Sequence, residues 1–191
     1  AQTRLACVVD PTPAGEAVAQ AHGAPWRTEI GAALAQDRPD AVIVATPNRL
    51  HVEHALTAIA AGAPALVEKP IADDVASARR LVEAAERAGV ALLIGHHRRH
   101  NPLIQRAKAI IEEGRRGRLV AVHGQFWLKK PDDYFDQAWR REPGAGPLLI
   151  NAIHDIDLLR HLCGEIVAVQ AMASNARRGL AVEDTAAILL R

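Results

Sequence analysis

An ammonium group at the end of a strand becomes a chemical tool when the strand belongs to an open α/β sheet, because ligands bind at the carboxyl edge of such sheets. Lys69 has that setting, in the tripeptide Glu68-Lys69-Pro70 that closes a strand-like segment at 65–68. Its charge can polarise a hydroxyl, and burial can lower its pKa so that it helps remove a proton while hydride leaves the same carbon. A lysine ahead of a turn is equally an ordinary surface feature, and the tripeptide alone does not separate the two. Asp10 ends another apolar run, where a dinucleotide fold places the acidic residue that accepts hydrogen bonds from the adenosine ribose. A carboxylate there repels a 2′-phosphate and so favours NAD over NADP; the plainer reading is that Asp10 ends a strand and caps the next helix. His96, His97 and His100 invite a metal reading. Asn101-Pro102 disfavours a regular helix through them and no Cys or carboxylate stands nearby, so no metal site is expected.

The elements that must carry these residues follow from apolar periodicity and punctuation. Short apolar runs at 5–9, 41–45, 65–68 and 91–95 alternate with helical patterns that start at Thr12-Pro13, His51 and Asp74 and stop at Gly23, Gly62 and Gly89. Strands apolar on both faces, alternating with helices, predict a doubly wound parallel sheet. Another helix is expected at 102–113. Beyond it the rhythm changes to a long strand at 119–128, a polar Gly/Pro-rich connection at 129–147, a helix at 148–161 and strands at 166–173 and 185–190. The fold class is therefore α/β, a partial Rossmann-type domain over 1–117 followed by part of an α+β domain over 118–191. Only nine residues precede Asp10 and none is glycine, so the first strand and the glycine-rich phosphate loop are expected to be missing. In a 3-2-1-4-5-6 sheet that loss leaves two interior strands without partners.

Composition excludes several classes. Lys plus Arg number 23 against 22 Asp plus Glu, so no global field draws the chain to nucleic acid or anionic lipid. Aromatics make up 3% of residues, too few for base-stacking platforms. No apolar run approaches the ~20 residues of a membrane-spanning helix. Two cysteines, Cys7 and Cys163, suggest buried thiols in a reducing, cytoplasmic setting.

The run at 41–48 (AVIVATPN), His51 three residues later, Glu68-Lys69-Pro70 one helix further on, and Gly95-His-His-Arg-Arg-His-Asn-Pro102 form a recognisable series. With Trp139-Arg140, Gly144-Ala145-Gly146 and His154-Asp155-Ile156-Asp157, nearly the whole chain resembles the glucose-fructose oxidoreductase/inositol dehydrogenase/MocA family, as a piece truncated at both ends. The resemblance implies an N-terminal dinucleotide domain and a C-terminal domain whose open, mainly antiparallel sheet mediates homo-oligomers. It implies Lys69 as the catalytic lysine and His154 as general base in oxidation or acid in reduction. Asp157 shares a helix face with His154 and could orient its ring. Thr46, Pro47, Asn48, His51, Glu68 and Lys69 would bind cofactor with Asp10. His97, Arg98, Asn151, Trp139 and Arg140 would lie toward substrate, while Arg99 would be structural. The family's aspartate four residues before the histidine is replaced here by Ile150, and neighbouring Asn151 cannot take up a proton.

The function these readings predict is hydride transfer between NAD and a secondary alcohol of a sugar, cyclitol or related polyol. The alternative is a non-catalytic dinucleotide-fold remnant serving as a binding or assembly module.

Overall fold

The computed structural model describes residues 3–115 and 117–191. Packing divides the chain into two compact units, one reaching Gly95 and the other running from His96 to Arg191.

In the first unit the order is β1 (Val8–Val9), α1 (Pro13–Ala21), β2 (Trp26–Arg27), α2 (Ile30–Gln36), β3 (Val42–Val44), α3 (His51–Ala60), β4 (Ala65–Val67), α4 (Val75–Ala88) and β5 (Leu92–Ile94). All pairings are parallel, as the two-sided apolar strands predict: β1 with β2, β3 with β4 and β4 with β5. The sheet is split, since the ladders form one pair, β1-β2, and one triplet, β3-β4-β5. β2 and α2 lie in a stretch whose short, alanine-rich sequence carries little periodic signal, and the apolar pattern did not mark them.

Helix α3 turns Val52, Ala55, Ala58 and Ile59 inward, at the spacing of one helical stripe, onto Val44, Ala65 and Val67 of the sheet. Leu81 and Ala85 of α4 complete this core. Leu81 is wholly buried, a contribution of about 2–3 kcal/mol from its side chain. Helix α4 begins at Asp74, whose carboxylate accepts the Ser77 N–H at 2.8 Å, and stops at Gly89 in the left-handed region with φ 64°.

The second unit holds a 3-10 turn (His97–His100), α5 (Pro102–Glu112), 3-10 turns at Asp132–Asp136 and Ala138–Arg141, a π-helical turn (Leu148–Ala152), α6 (Ile153–Cys163), β6 (Val169–Ser174) and β7 (Thr185–Leu190). β6 and β7 pair antiparallel, from Val169 opposite Leu190 to Ser174 opposite Thr185. Three sequence expectations change here. The strand expected at 119–128 has no ladder among the described residues. Val120 and Trp127 stand exposed, because an alternating segment becomes a strand only when a neighbour accepts its backbone hydrogen bonds. The compact units part at Gly95, where the sequence placed the boundary at 117; α5 packs on α6 and on the His97–His100 turn. Cys163 is exposed and Cys7 half-buried, so the expectation of two buried thiols is not met; both are free. No helix among the described residues is long and apolar enough to cross a membrane.

Candidate active-site residues

At the carboxyl end of β1, Asp10 is placed by backbone and side chain together. Its N–H donates to the Arg27 carbonyl at 3.0 Å, and the Trp26 indole donates to the Asp10 carbonyl at 2.8 Å. Thr12 donates to Asp10 Oδ1 twice, from its backbone N–H at 2.7 Å and its hydroxyl at 2.6 Å. The hydroxyl bond first, then the backbone bond, hold the Asp10 carboxyl below the usual carboxylate range, so it is ionised at neutral pH. A Cβ on Gly15 would stand 2.2 Å from the Asp10 Cβ, so glycine in the first turn of α1 is what lets the aspartate lie over that helix start. Thr12 precedes the helix without a side-chain cap bond, its hydroxyl being engaged by Asp10.

The ends of β3 and β4 are tied together by His51. Its Nδ1 lies 2.7 Å from the Pro70 carbonyl and its Nε2 2.7 Å from the Thr46 carbonyl, and the residue is 1% exposed. Both ring nitrogens thus lie within hydrogen-bond reach of backbone carbonyls. His51 is a pin that sets the loops carrying Thr46-Pro47-Asn48 and Lys69-Pro70. The Thr46 hydroxyl, also at the carboxyl end of β3, is buried without a hydrogen-bond partner among the described residues. Glu68 lies against Gly95, and its Oε2 accepts the Lys69 N–H at 3.3 Å. The Lys69–Pro70 peptide bond is cis.

These residues fit a dinucleotide. An ionised carboxylate with a second oxygen to spare suits ribose hydroxyls, and an orphaned buried hydroxyl at the same sheet edge is a polar group that a ligand would satisfy.

In the second unit His154 sits in the first turn of α6 and is 7% exposed. It is preceded directly by the π-helical turn that carries Ile150 and Asn151; such turns recur at functional sites. Ile150 is buried, 8% exposed. The His97 ring meets the His154 ring edge to face, with centroids 5.1 Å apart. Arg98 Nη1 reaches Asp155 Oδ1 at 3.0 Å. Arg99 grips Asp157 with two bonds, Nε to Oδ2 at 2.7 Å and Nη2 to Oδ1 at 2.5 Å.

Asp157, three residues after His154, turns its carboxylate to Arg99. Both its oxygens accept from Arg99, and it is 5% exposed, an anion compensated by a guanidinium. Burial pushes its pKa up; the Arg99 bonds, with the nearby His96 and the charges of Arg99 and Arg160, outweigh that and hold it below the usual range. A carboxyl lowered in the fold adds stability above its unfolded pKa and loses it as pH falls through the folded value. Asp157→Asn is thus expected to melt below wild type at neutral pH. The gap should narrow as acid protonates the wild-type carboxyl, starting near the unfolded pKa of about 3.9. Melting temperatures of both proteins from pH 7 to 3 check this; a constant gap would mean that the charge is not what stabilises.

Two further residues were invisible to sequence reasoning. Glu183 accepts the Leu148 N–H at 2.8 Å, and a Cβ on Gly146 would meet its carboxylate at 2.1 Å, so Gly146 makes room for the group that caps the π-helical turn. Trp26 is the other, through its bond to Asp10. Trp139 and Arg140, expected near substrate, form a local stack with Tyr134: the Arg140 guanidinium lies 4.0 Å from the Tyr134 ring centre and 5.2 Å from that of Trp139. Trp139 Nε1 donates to Gln137 at 2.9 Å, and Arg140 Nη1 donates to the Tyr134 carbonyl at 2.9 Å.

Residues 1–96 match the model of an oxidoreductase family with an NAD-binding Rossmann fold, and residues 104–191 match the GFO/IDH/MocA C-terminal domain. The chain belongs to the GFO/IDH/MocA oxidoreductase family. It is 39% identical over 152 residues to 1,5-anhydro-D-fructose reductase of Ensifer adhaerens, covering 76% of this chain and 44% of that protein. It is 37% identical over 175 residues to inositol 2-dehydrogenase of Streptomyces avermitilis, covering 88% and 48%. The chain spans about half the length of the curated relatives it matches. Among solved structures, the WlbA dehydrogenase of Bordetella pertussis, in complex with NADH and UDP-GlcNAcA, superposes with a TM-score of 0.92 at 33% identity, covering 98% of this chain and 56% of that one. In this chain a parallel-stranded unit precedes a unit with an antiparallel pair.

Proposed function

We propose that the protein is an NAD-dependent dehydrogenase that moves hydride between the cofactor and a secondary alcohol of a sugar, cyclitol or related polyol. The observation that carries the reading is the convergence of an ionised Asp10, the orphaned Thr46 hydroxyl and Glu68-Lys69-Pro70 at strand ends of a unit whose sequence is that of the family's NAD-binding fold. The names of its relatives, an anhydrofructose reductase and an inositol dehydrogenase among them, support the substrate class.

NAD, when bound, supplies the hydride acceptor. Asp10 accepts hydrogen bonds from the adenosine ribose hydroxyls and repels a 2′-phosphate, while Thr46, Pro47 and Asn48 line the cofactor from the end of β3. Lys69 polarises the substrate hydroxyl, and His154 takes its proton during oxidation or returns it during reduction. Asn151 supplies an amide to the substrate. His97, Arg98, Trp139 and Arg140 are its further contacts, Arg140 through an Nε donor that is buried without a protein partner among the described residues. Two free cysteines support a cytoplasmic setting. The exposed faces of β6 and β7 support assembly of the complete protein as a homo-oligomer through that sheet.

Calorimetric titration of NADH and NADPH, followed by a turnover screen of polyols and sugars, tests the proposal. NADH is expected to bind more tightly than NADPH, and Asp10→Ala is expected to weaken NADH by about tenfold, the worth of one or two charge-assisted hydrogen bonds. Equal binding of the two cofactors would overturn the role given to Asp10. The second reading is that of a non-catalytic dinucleotide-fold module. A folded protein that binds neither cofactor would select it.

A further inference from the structure

Three consecutive residues of the His97–His100 turn engage three residues of α6 in step: His97 with His154, Arg98 with Asp155 and Arg99 with Asp157. The three contacts differ in kind. The middle pair is part-exposed and so worth little by itself, whereas the Arg99 pair is bidentate on a carboxylate that is 5% exposed. A second anchor holds the turn from below, because Gln105 of α5 donates to the Arg99 carbonyl and Asn101 caps α5, accepting the Leu103 N–H at 2.9 Å. His96, at the start of the turn, faces the same carboxylate, with Nδ1 3.8 Å from Asp157 Oδ2.

A planar guanidinium that meets a carboxylate with two parallel bonds fixes rotation as well as distance. One helical turn separates Asp157 from His154, so a setting imposed at Asp157 is transmitted by the helix backbone to the His154 ring. We propose that Arg99 and Asp157 are positioning residues for His154. Their pair locks the turn onto α6 in the register that stands the His97 ring edge-on against the His154 ring, and so sets the direction in which the proton-handling nitrogen points. This rests on the reading of His154 as the proton-handling group. Neither Arg99 nor Asp157 touches substrate in this account. The pair acts through His154, and a displacement of even 1 Å at a reacting group costs about a hundredfold in rate.

The test uses Arg99→Lys, which keeps the charge and gives up the fork, together with Asp157→Asn, which keeps the shape and removes the charge. Each is examined in the full-length protein for turnover, NADH affinity and the side-chain nitrogen signals of 15N-labelled histidines as pH is varied. Arg99→Lys is expected to keep its fold and NADH affinity, to lower kcat by tenfold or more with KM little changed, and to shift the pH midpoint and tautomer signals of His154 and His97. Asp157→Asn is expected to shift the same signals. If both variants melt earlier while the His154 signals and the pH profile of kcat stay as in wild type, the pair is an anchor only and the proposal is overturned. The histidine signals are read without turnover. Signals that move in a protein inactive on every polyol would uphold the positioning role and sink the substrate assignment, whereas an active protein with unmoved signals would do the reverse.

Discussion

Lys69→Ala is expected to lower kcat by about a thousandfold, the middle of the range for a positioned acid–base group, while the circular dichroism spectrum stays within error of wild type. Such a loss is about 4 kcal/mol of transition-state stabilisation. It should fall on kcat because a lysine that polarises the reacting hydroxyl does most as negative charge builds on that oxygen, and little in the ground state. The fold should survive, since the core beneath β4 is built from Ala65, Val67 and Leu81, which the substitution leaves alone. A steady-state comparison on the best substrate from the polyol screen is the measurement. An unchanged kcat would mean that Glu68-Lys69-Pro70 is only a strand end.

His154→Gln should lower kcat by about a hundredfold or more and remove from the kcat/KM profile the limb that titrates near neutral pH. Glutamine keeps hydrogen-bonding capacity but cannot exchange a proton at these pH values. Because His97 stands 5.1 Å away, ring centre to ring centre, the double variant with His97→Gln is informative. If His97 only braces the ring, removing it from a protein already lacking His154 adds little, a non-additivity that marks two residues acting as one unit. If the near-neutral limb persists in His154→Gln, the proton passes through another group and the assignment to His154 fails.

Most of the first unit was legible along the chain. The runs at 41–45, 65–68 and 91–95 became β3, β4 and β5 with ends trimmed by one or two residues, and the helix starts at Pro13, His51 and Asp74 held to within a residue. Such segments read well because two-sided burial, proline at a first turn and glycine at a stop act within a few residues of each other. The strand-like run at 119–128 misled for the converse reason. Its alternation is local, but a strand is a pairing, and among the described residues no neighbour supplies one.

The candidate site divides along the same line. By itself the sequence determined which chemical groups are present and where in the rhythm of elements they fall. Asp10 and Thr46 lie at strand ends because each follows the last apolar residue of its run, Lys69 comes one residue further on after Glu68, and His154 and Asp157 share a helix face because they are three residues apart. Only the tertiary structure decided what each group touches. His51 proved to be a pin between two carbonyls, Asp157 the partner of Arg99, and Gly15 and Gly146 the openings through which Asp10 and Glu183 lie against their turns. Arg99 and Asp157 are 58 positions apart in the chain. Spacing along a helix restricts which side chains share a face, but the partner of a buried charge is fixed by whichever opposite charge the folded chain brings within hydrogen-bond reach.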